Sequence, residues 1–237
     1  LDVAYELSRS NKRPRILVVN GDDKESEKFL KYEAEKKVKF YINNNIQTPL
    51  LGEFNKYNVS GAYELCKELG IKEETIKQAI SKFNEVSGRV QFIKANQDFD
   101  VIVDYAHTTD SLEKLYKTFG DRNKIAVLGG TGGGRDIWKR SEMGKIADKY
   151  CKYIVLTNED PYDEDPEKII NDVAKGIINQ KPTIIMDRRL AIRHALLHAK
   201  KGDLVLITGK GTDPYIMGPN GKNTPWSDAK IAKEEIE

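Results

Sequence analysis

Cysteine is scarce in this sequence, proline is sparse, and no long apolar run interrupts it. The two cysteines among 237 residues, Cys66 and Cys151, stand far apart in a helix-like and a helix-end context. That suits buried thiols in a reducing cytoplasm better than a disulfide. Eight prolines, 39% hydrophobic and 32% charged residues exclude a disordered or collagen-like chain. Runs such as Ile16–Val19 and Leu204–Ile207 are strand-length, far short of the ~20 residues that span a bilayer, so no membrane partner is expected. Neither sign of charge prevails: 39 basic against 37 acidic side chains give a net +2. The balance holds locally, with 15 and 14 in residues 1–88 and 24 and 23 thereafter. Without a basic stripe, no nucleic-acid partner is expected. Leu1-Asp2-Val3-Ala4-Tyr5 has no initiator Met, basic n-region or apolar h-region, and reads as a truncation point rather than a signal.

What is present is a rhythm. From Asp100 onward, short apolar runs alternate with longer segments of helical period: Val101–Val103, Ile125–Leu128, Tyr153–Leu156, Thr183–Met186 and Leu204–Ile207. Runs that are apolar on successive residues suit parallel strands covered on both faces, with crossover helices between them. Asp165 and Pro166 open one such helix as N-cap and first residue, with Ile169, Ile170, Val173, Ala174 and Ile177 on its apolar side. Ser227 is expected to cap a last helix. Residues 1–88 read as one strand at Ile16–Val19 and two helices, the first through Val59 and Leu69 to a stop at Gly70, the second through Ile76 and Phe83. A hinge is expected at Val86–Arg89. The Lys31–Lys39 stretch, interleaved with Glu33 and Glu35, reads as exposed surface.

In open α/β sheets ligands collect at the carboxyl ends of the strands, and here those ends are loaded. They carry Asp104-Tyr105-Ala106-His107-Thr108, the glycine-rich Gly129–Gly134 followed by Arg135-Asp136, Thr157-Asn158-Glu159-Asp160-Pro161-Tyr162, and Gly209-Lys210-Gly211-Thr212-Asp213. The glycines permit backbone N–H groups to meet an anion or carboxylate, and Arg135 adds a guanidinium fork. Arg135-Asp136 stand where a Walker A loop needs Lys and Ser or Thr, so a P-loop is not expected. Asp104 and His107 suit either a ribose hydroxyl and a phosphate or merely local backbone groups. His194 and His198, four apart on a helix, have no third ligand in view; a solvated face is favoured over zinc, and no residue is assigned to a metal.

Taken in order, these motifs resemble the C-terminal portion of a Mur ligase of the UDP-N-acetylmuramoyl-tripeptide synthetase kind. The likeness rests on Asn20-Gly21-Asp22-Asp23, Leu51 to Asn58, Gly88-Arg89, Asp104 to Thr108, Gly133 to Asp136, Lys139-Arg140 and Gly209-Lys210-Gly211. It implies an α/β protein. Residues 89–237 would form a Rossmann-like, parallel-type sheet with helices on both faces, and residues 1–88 the end of an α/β central ATPase domain. It further implies a cytoplasmic, monomeric, ATP- and Mg²⁺-dependent ligase of peptidoglycan-precursor synthesis. Such an enzyme activates the carboxylate of a UDP-muramoyl dipeptide as an acyl phosphate, which the amine of a diamino acid then attacks.

By the same resemblance, Asn55 and Asn58 face the adenine of ATP, Arg89 and Asp104 its ribose and phosphates, and His107 the same nucleotide. Arg135 grips the α-carboxylate of the amino acid with help from Gly209, and Asp213 meets its amino group in place of a family Glu. Family members that use meso-diaminopimelate carry Asp-Asn-Pro-Arg where this chain has Glu159-Asp160-Pro161-Tyr162. The acidic pair and the missing Arg point to lysine or ornithine. A folylpolyglutamate synthetase-like ligase and a non-catalytic binding relative are the alternatives. The family's Walker A loop falls upstream, and its carbamylated Lys falls near Ala4 or Tyr5, so these 237 residues are expected to fold without turning over by themselves.

Overall fold

A computed structural model describes residues 14–134 and 136–237. The chain forms two compact units, the first ending at Asn84 and the second running Glu85–Glu237.

In the first unit, β1 (Ile16–Asn20) pairs in parallel with β2 (Lys36–Phe40), and the short α1 (Ser26–Phe29) lies between them in sequence. The lysine-rich stretch expected to be plain surface therefore contains a strand. Its lysines are exposed while Val38 and Phe40 are half-buried, as suits an edge strand whose charges discourage further pairing. Helices α2 (Glu53–Glu68) and α3 (Glu73–Lys82) close a small core of Ile46, Val59, Tyr63 and Ile76. Gly70 ends α2 as expected: at φ +82° it lets Gly70 N–H reach Lys67 O and Ile71 N–H reach Cys66 O, the paired bonds of a Schellman stop.

The second unit holds a six-stranded sheet in the order β3-β4-β8-β5-β6-β7. The strands are β3 (Gln91–Phe92), β4 (Asp100–Asp104), β5 (Lys124–Leu128), β6 (Tyr153–Leu156), β7 (Thr183–Ile184) and β8 (Leu204–Thr208). All pairs are parallel except β3 with β4, so β8 enters last, between β4 and β5. Crossovers run through α4 (Thr109–Thr118), α5 (Trp138–Tyr150), α6 (Pro166–Ala174) and α7 (Arg188–His198), and α8 (Asp228–Ile236) closes the chain. A small antiparallel pair, β9 (Tyr215–Met217) with β10 (Asn223–Pro225), follows β8.

Both faces of the central strands are buried, which is why their sequences are continuously apolar. Val101, Val103, Ile125, Val127, Val205 and Ile207 form one core with α7 and α8, while Ile102, Ala126, Ile154 and Leu206 are equally buried. Asp165 caps α6 through Glu167 N–H and Ser227 caps α8 through Lys230 N–H, as their residue types dictate.

Three expectations need correction. The run at Thr183–Met186 pairs only over Thr183–Ile184, at the sheet edge, where Ile184 is exposed. The helix opened by Asp165 stops at Ala174, before Ile177, and Gly176 follows it where an added Cβ would strike the Ser141 carbonyl of α5. His194 and His198 bear out a solvated face only in part: His198 is exposed, though it stacks on Tyr153 with ring centroids 4.2 Å apart, whereas His194 is half-buried with Nε2 2.9 Å from the Tyr153 hydroxyl. Cys66 and Cys151 are free thiols, and burial pushes the Cys151 thiol up to about 12. No helix among the described residues is long and apolar enough to cross a membrane.

The contact between α5 and α6 leaves no room for a methyl group at Gly176, where a Cβ would collide with Ser141 O and the Lys145 amide. Gly176→Ala is expected to cost about 1–3 kcal/mol through overpacking, read as a lower urea midpoint with an unchanged m-value.

Candidate active site at the carboxyl ends of the strands

The loops after β4, β5, β6 and β8 meet at one end of the sheet, held by an extension of the strand pairing. Thr131 pairs with Asp160 beyond β5 and β6, Gly132 N–H donates to Asp160 O (2.8 Å), and Gly209 N–H donates to Asp104 O (3.2 Å). The glycines exist for this closeness. A Cβ on Gly129 would press on the Glu159 side chain, one on Gly132 would strike the Pro161 carbonyl, and one on Gly209 would strike the Glu159 carboxylate. Gly209 also sits at φ +106°, a conformation that side chains resist. Only Gly134 in the Gly129–Gly134 stretch faces open space. Most of that run is thus explained by packing against the segment after β6, and at its far end Gly134 N–H donates to Glu164 Oε1 (3.1 Å) rather than standing free for an anion. Arg135, placed next to it in sequence, lies outside the described residues, as do Ala4 and Tyr5.

Glu159 is buried, with Oε1 accepting from the Thr131 hydroxyl (2.9 Å) and Oε2 lacking any partner. Burial raises its pKa above the ordinary carboxylate range, against the pull of the Arg188 charge. Asp160 is also buried, but it is engaged: Oδ2 accepts from Lys210 Nζ at 2.7 Å and Oδ1 from Met217 N–H at 2.8 Å. It therefore presents no spare charge to a substrate side chain, contrary to its expected role in an acidic pair. Tyr162 adopts φ 52° and lays its ring against Gly133. Asp213 Oδ2 also reaches Lys210 Nζ, at 3.2 Å, and its side chain is 42% exposed.

Asp104 is buried and accepts from Val90 N–H and Ala106 N–H, each at 2.7 Å. Both oxygens thus serve local backbone groups, and burial still lifts its pKa above the ordinary value. His107 Nδ1–H donates to Tyr105 O (2.8 Å), a bond that leaves Nε2 uninvolved. The Arg89 guanidinium lies over the Tyr105 ring, 4.4 Å from its centroid, and Arg89 is exposed. A small cleft nearby is lined by His107, Gly130, Thr131, Asp136, Lys139 and Arg140.

In the first unit, Asn55 is buried with Nδ2 donating to Leu51 O (2.7 Å), and Asn58 Nδ2 donates to Asn55 Oδ1 (3.2 Å). They brace the start of α2. The cleft of about 400 Å³ in this unit is lined instead by Asn43, Asn44, Gln47, Lys56, Val59 and Ser60, among others. Among the described residues, no three His, Cys, Asp or Glu side chains are grouped to hold a metal ion.

Sequence reasoning passed over Arg188 and Asp228. Arg188 is buried and bidentate to Asp228 (2.8 and 2.7 Å); its remaining N–H groups reach Thr208 O (2.8 Å) and Asn158 O (3.3 Å). One side chain thereby holds the ends of β6 and β8 from beneath. Trp226 Nε1–H donates to Asp228 Oδ1 (2.8 Å) and completes the lock. No local pattern separates Arg188 from its neighbour Arg189, which is exposed and pairs with Glu234 and Glu235.

Asp228→Ala would strand the Arg188 charge in the interior, and a loss of about 3–5 kcal/mol is expected, measured by urea unfolding. Glu159 carries a pH signature. Its neutral form is favoured in the folded state, so its contribution to stability is complete below the ordinary Glu pKa and disappears as pH rises through the elevated folded value. Glu159→Gln is expected to remove this pH dependence, so that thermal melts of the two proteins converge in acid and the variant melts higher at neutral pH.

Residues 88–211 match the model of the Mur ligase glutamate ligase domain. The chain is 42% identical over 190 residues to the UDP-N-acetylmuramoyl-L-alanyl-D-glutamate–2,6-diaminopimelate ligase of Aquifex aeolicus, covering 79% of this chain and 39% of that protein. It is 32% identical to the enzyme of the same name from Bacillus cereus, over 97% of this chain and 52% of the relative. A solved structure of a ligase of that name superposes with a TM-score of 0.61 at 28% identity, over 94% of this chain and 53% of the other. The ADP complex of Mycobacterium tuberculosis folylpolyglutamate synthase shares the fold, with a TM-score of 0.68 at 16% identity over 88% of this chain and 56% of the other. The chain thus spans about two-fifths to one-half of the curated relatives named here. With its sheet order, its crowded strand ends and these likenesses in agreement, the chain belongs to the Mur ligase family.

Proposed function

We propose that the protein bearing this chain is an ATP-dependent ligase of peptidoglycan-precursor synthesis, joining a diamino acid to the D-glutamyl carboxylate of a UDP-N-acetylmuramoyl dipeptide. Residues 1–88 would belong to the ATP-binding central domain and residues 89–237 to the domain that presents the amino acid. One observation carries this reading: the loops after β4, β5, β6 and β8 meet at one end of the sheet, and the half-exposed carboxylate of Asp213 stands among them. An amino acid carries an ammonium beside its carboxylate, and a half-exposed acid at the strand ends suits that ammonium. Arg135 is assigned to the α-carboxylate by its place in Gly133-Gly134-Arg135-Asp136. Arg89, His107 and the exposed Asn58 are assigned to the nucleotide, since each keeps a polar group outside the internal bonds that occupy Asp104 and Asn55. ATP would supply the phosphoryl group that activates the carboxylate. No residue of this chain is assigned to Mg²⁺.

The diamino acid in this reading is lysine or ornithine, because Tyr162 offers no cation for a second carboxylate. With Asp160 committed to Lys210, that preference rests on Tyr162 alone. A second reading, 2,6-diaminopimelate, is supported by the names of the curated relatives. The test is phosphate release by the full-length protein. Release is expected only when ATP, the UDP-linked dipeptide and a diamino acid are all present, with kcat/KM at least tenfold higher for lysine or ornithine than for 2,6-diaminopimelate. Arg135→Ala is expected to raise the amino-acid KM at least tenfold. Release that ignores the amino acid would sink the ligase reading, and preference for diaminopimelate would sink the substrate assignment.

A further inference from the structure

Lys210 has no solvent-exposed side-chain surface, an unusual place for an ammonium, which is stripped of water at high cost unless paired. It follows Gly209 and precedes Gly211, both at positive φ, so the turn directs the lysine inward. Its Nζ lies 2.7 Å from Asp160 Oδ2 and 3.2 Å from Asp213 Oδ2. The two partners are unlike. The Asp160 side chain is 9% exposed and anchored a second time by Met217 N–H, whereas that of Asp213 is 42% exposed. Neutralising the lysine requires one carboxylate, and Asp160 supplies it. The second leaves the cluster with one excess negative charge, and its solvent-facing end is Asp213. The backbone reinforces the arrangement, since Asp213 N–H donates to Lys210 O at 2.7 Å.

We propose that Lys210 is a positioning residue that acts through Asp213, clamping Oδ2 and so leaving Oδ1 in a fixed place to accept from an ammonium of the incoming diamino acid. The inference rests on the ligase reading above and adds to it the residue that sets the geometry of amine binding. A carboxylate on a free loop would have to be ordered each time substrate bound, whereas one already held by a buried ammonium avoids that cost. Lys210 itself stays out of contact with substrate. Its anchor on Asp160 ties the turn after β8 to the segment after β6, so amine binding depends on both loops.

In the full-length enzyme, Lys210→Met is expected to raise the diamino-acid KM about tenfold. The KM values for ATP and the UDP-linked dipeptide should stay within twofold, and kcat at saturating diamino acid should be largely retained. Asp213→Asn is expected to do the same, and the double variant to be no worse than either single one, because the two residues act as one unit. Additive effects, a parallel rise in all three KM values, or a fallen kcat with unchanged diamino-acid KM would each overturn the proposal. Should Lys210→Met lose its cooperative melt, Asp160→Asn keeps the lysine and removes its anchor. That variant is expected to raise the same KM, and an unchanged value overturns the inference. A wild-type enzyme that uses no diamino acid would remove the ligase reading and this role with it, whereas wild-type turnover with unaltered KM in the variants removes this role alone.

Discussion

Charge can be buried at the carboxyl end of this sheet only where it is matched, and that constraint organises the whole region. Arg188 and Asp228 form a closed pair beneath the strand ends, and the spare N–H groups of the guanidinium collect carbonyls from β8 and from Asn158, two residues after β6. Lys210 repeats the principle one layer out, between Asp160 and Asp213. Paired ions of this kind do not by themselves add much stability, since desolvation offsets most of the attraction. They do penalise any arrangement that separates them, which makes the loop positions specific.

Glu159 is the exception. It has a buried oxygen without a partner and a carboxyl held towards its neutral form. Perturbed acids of this sort concentrate where a protein must meet a ligand, and Glu159 lies against Gly209. The glycines around it express one need in several places: three loops approach until no β-carbon fits between them. A glycine-rich loop is thus a packing device first, and even at its open end the Gly134 N–H is taken by Glu164.

Much of the fold was legible. Continuous apolar runs announced β4, β5, β6 and β8 because strands buried on both faces have no polar side to show, and Asp165, Ser227 and Gly70 marked helix ends through local hydrogen bonding and backbone freedom. The weaker readings came from places where local pattern and tertiary placement diverge. β2 was hidden because an edge strand with exposed lysines looks like surface, and β7 was overextended because its apolar residues continue after its partner has ended.

The sequence alone determined the kind of protein: an alternating α/β chain whose charged and glycine-bearing motifs follow its strands, since strand ends are where backbone geometry turns and polar groups gather. Only the tertiary structure decided what those residues do with their charges. Asp160 and Asp213 look alike on paper, yet one is consumed internally and the other faces solvent. Arg188 and Arg189 are neighbours, yet one is locked in the interior and the other pairs at the surface. Burial is a property of three-dimensional neighbours, and it is burial that separates a charge available to a ligand from one already spent on the fold.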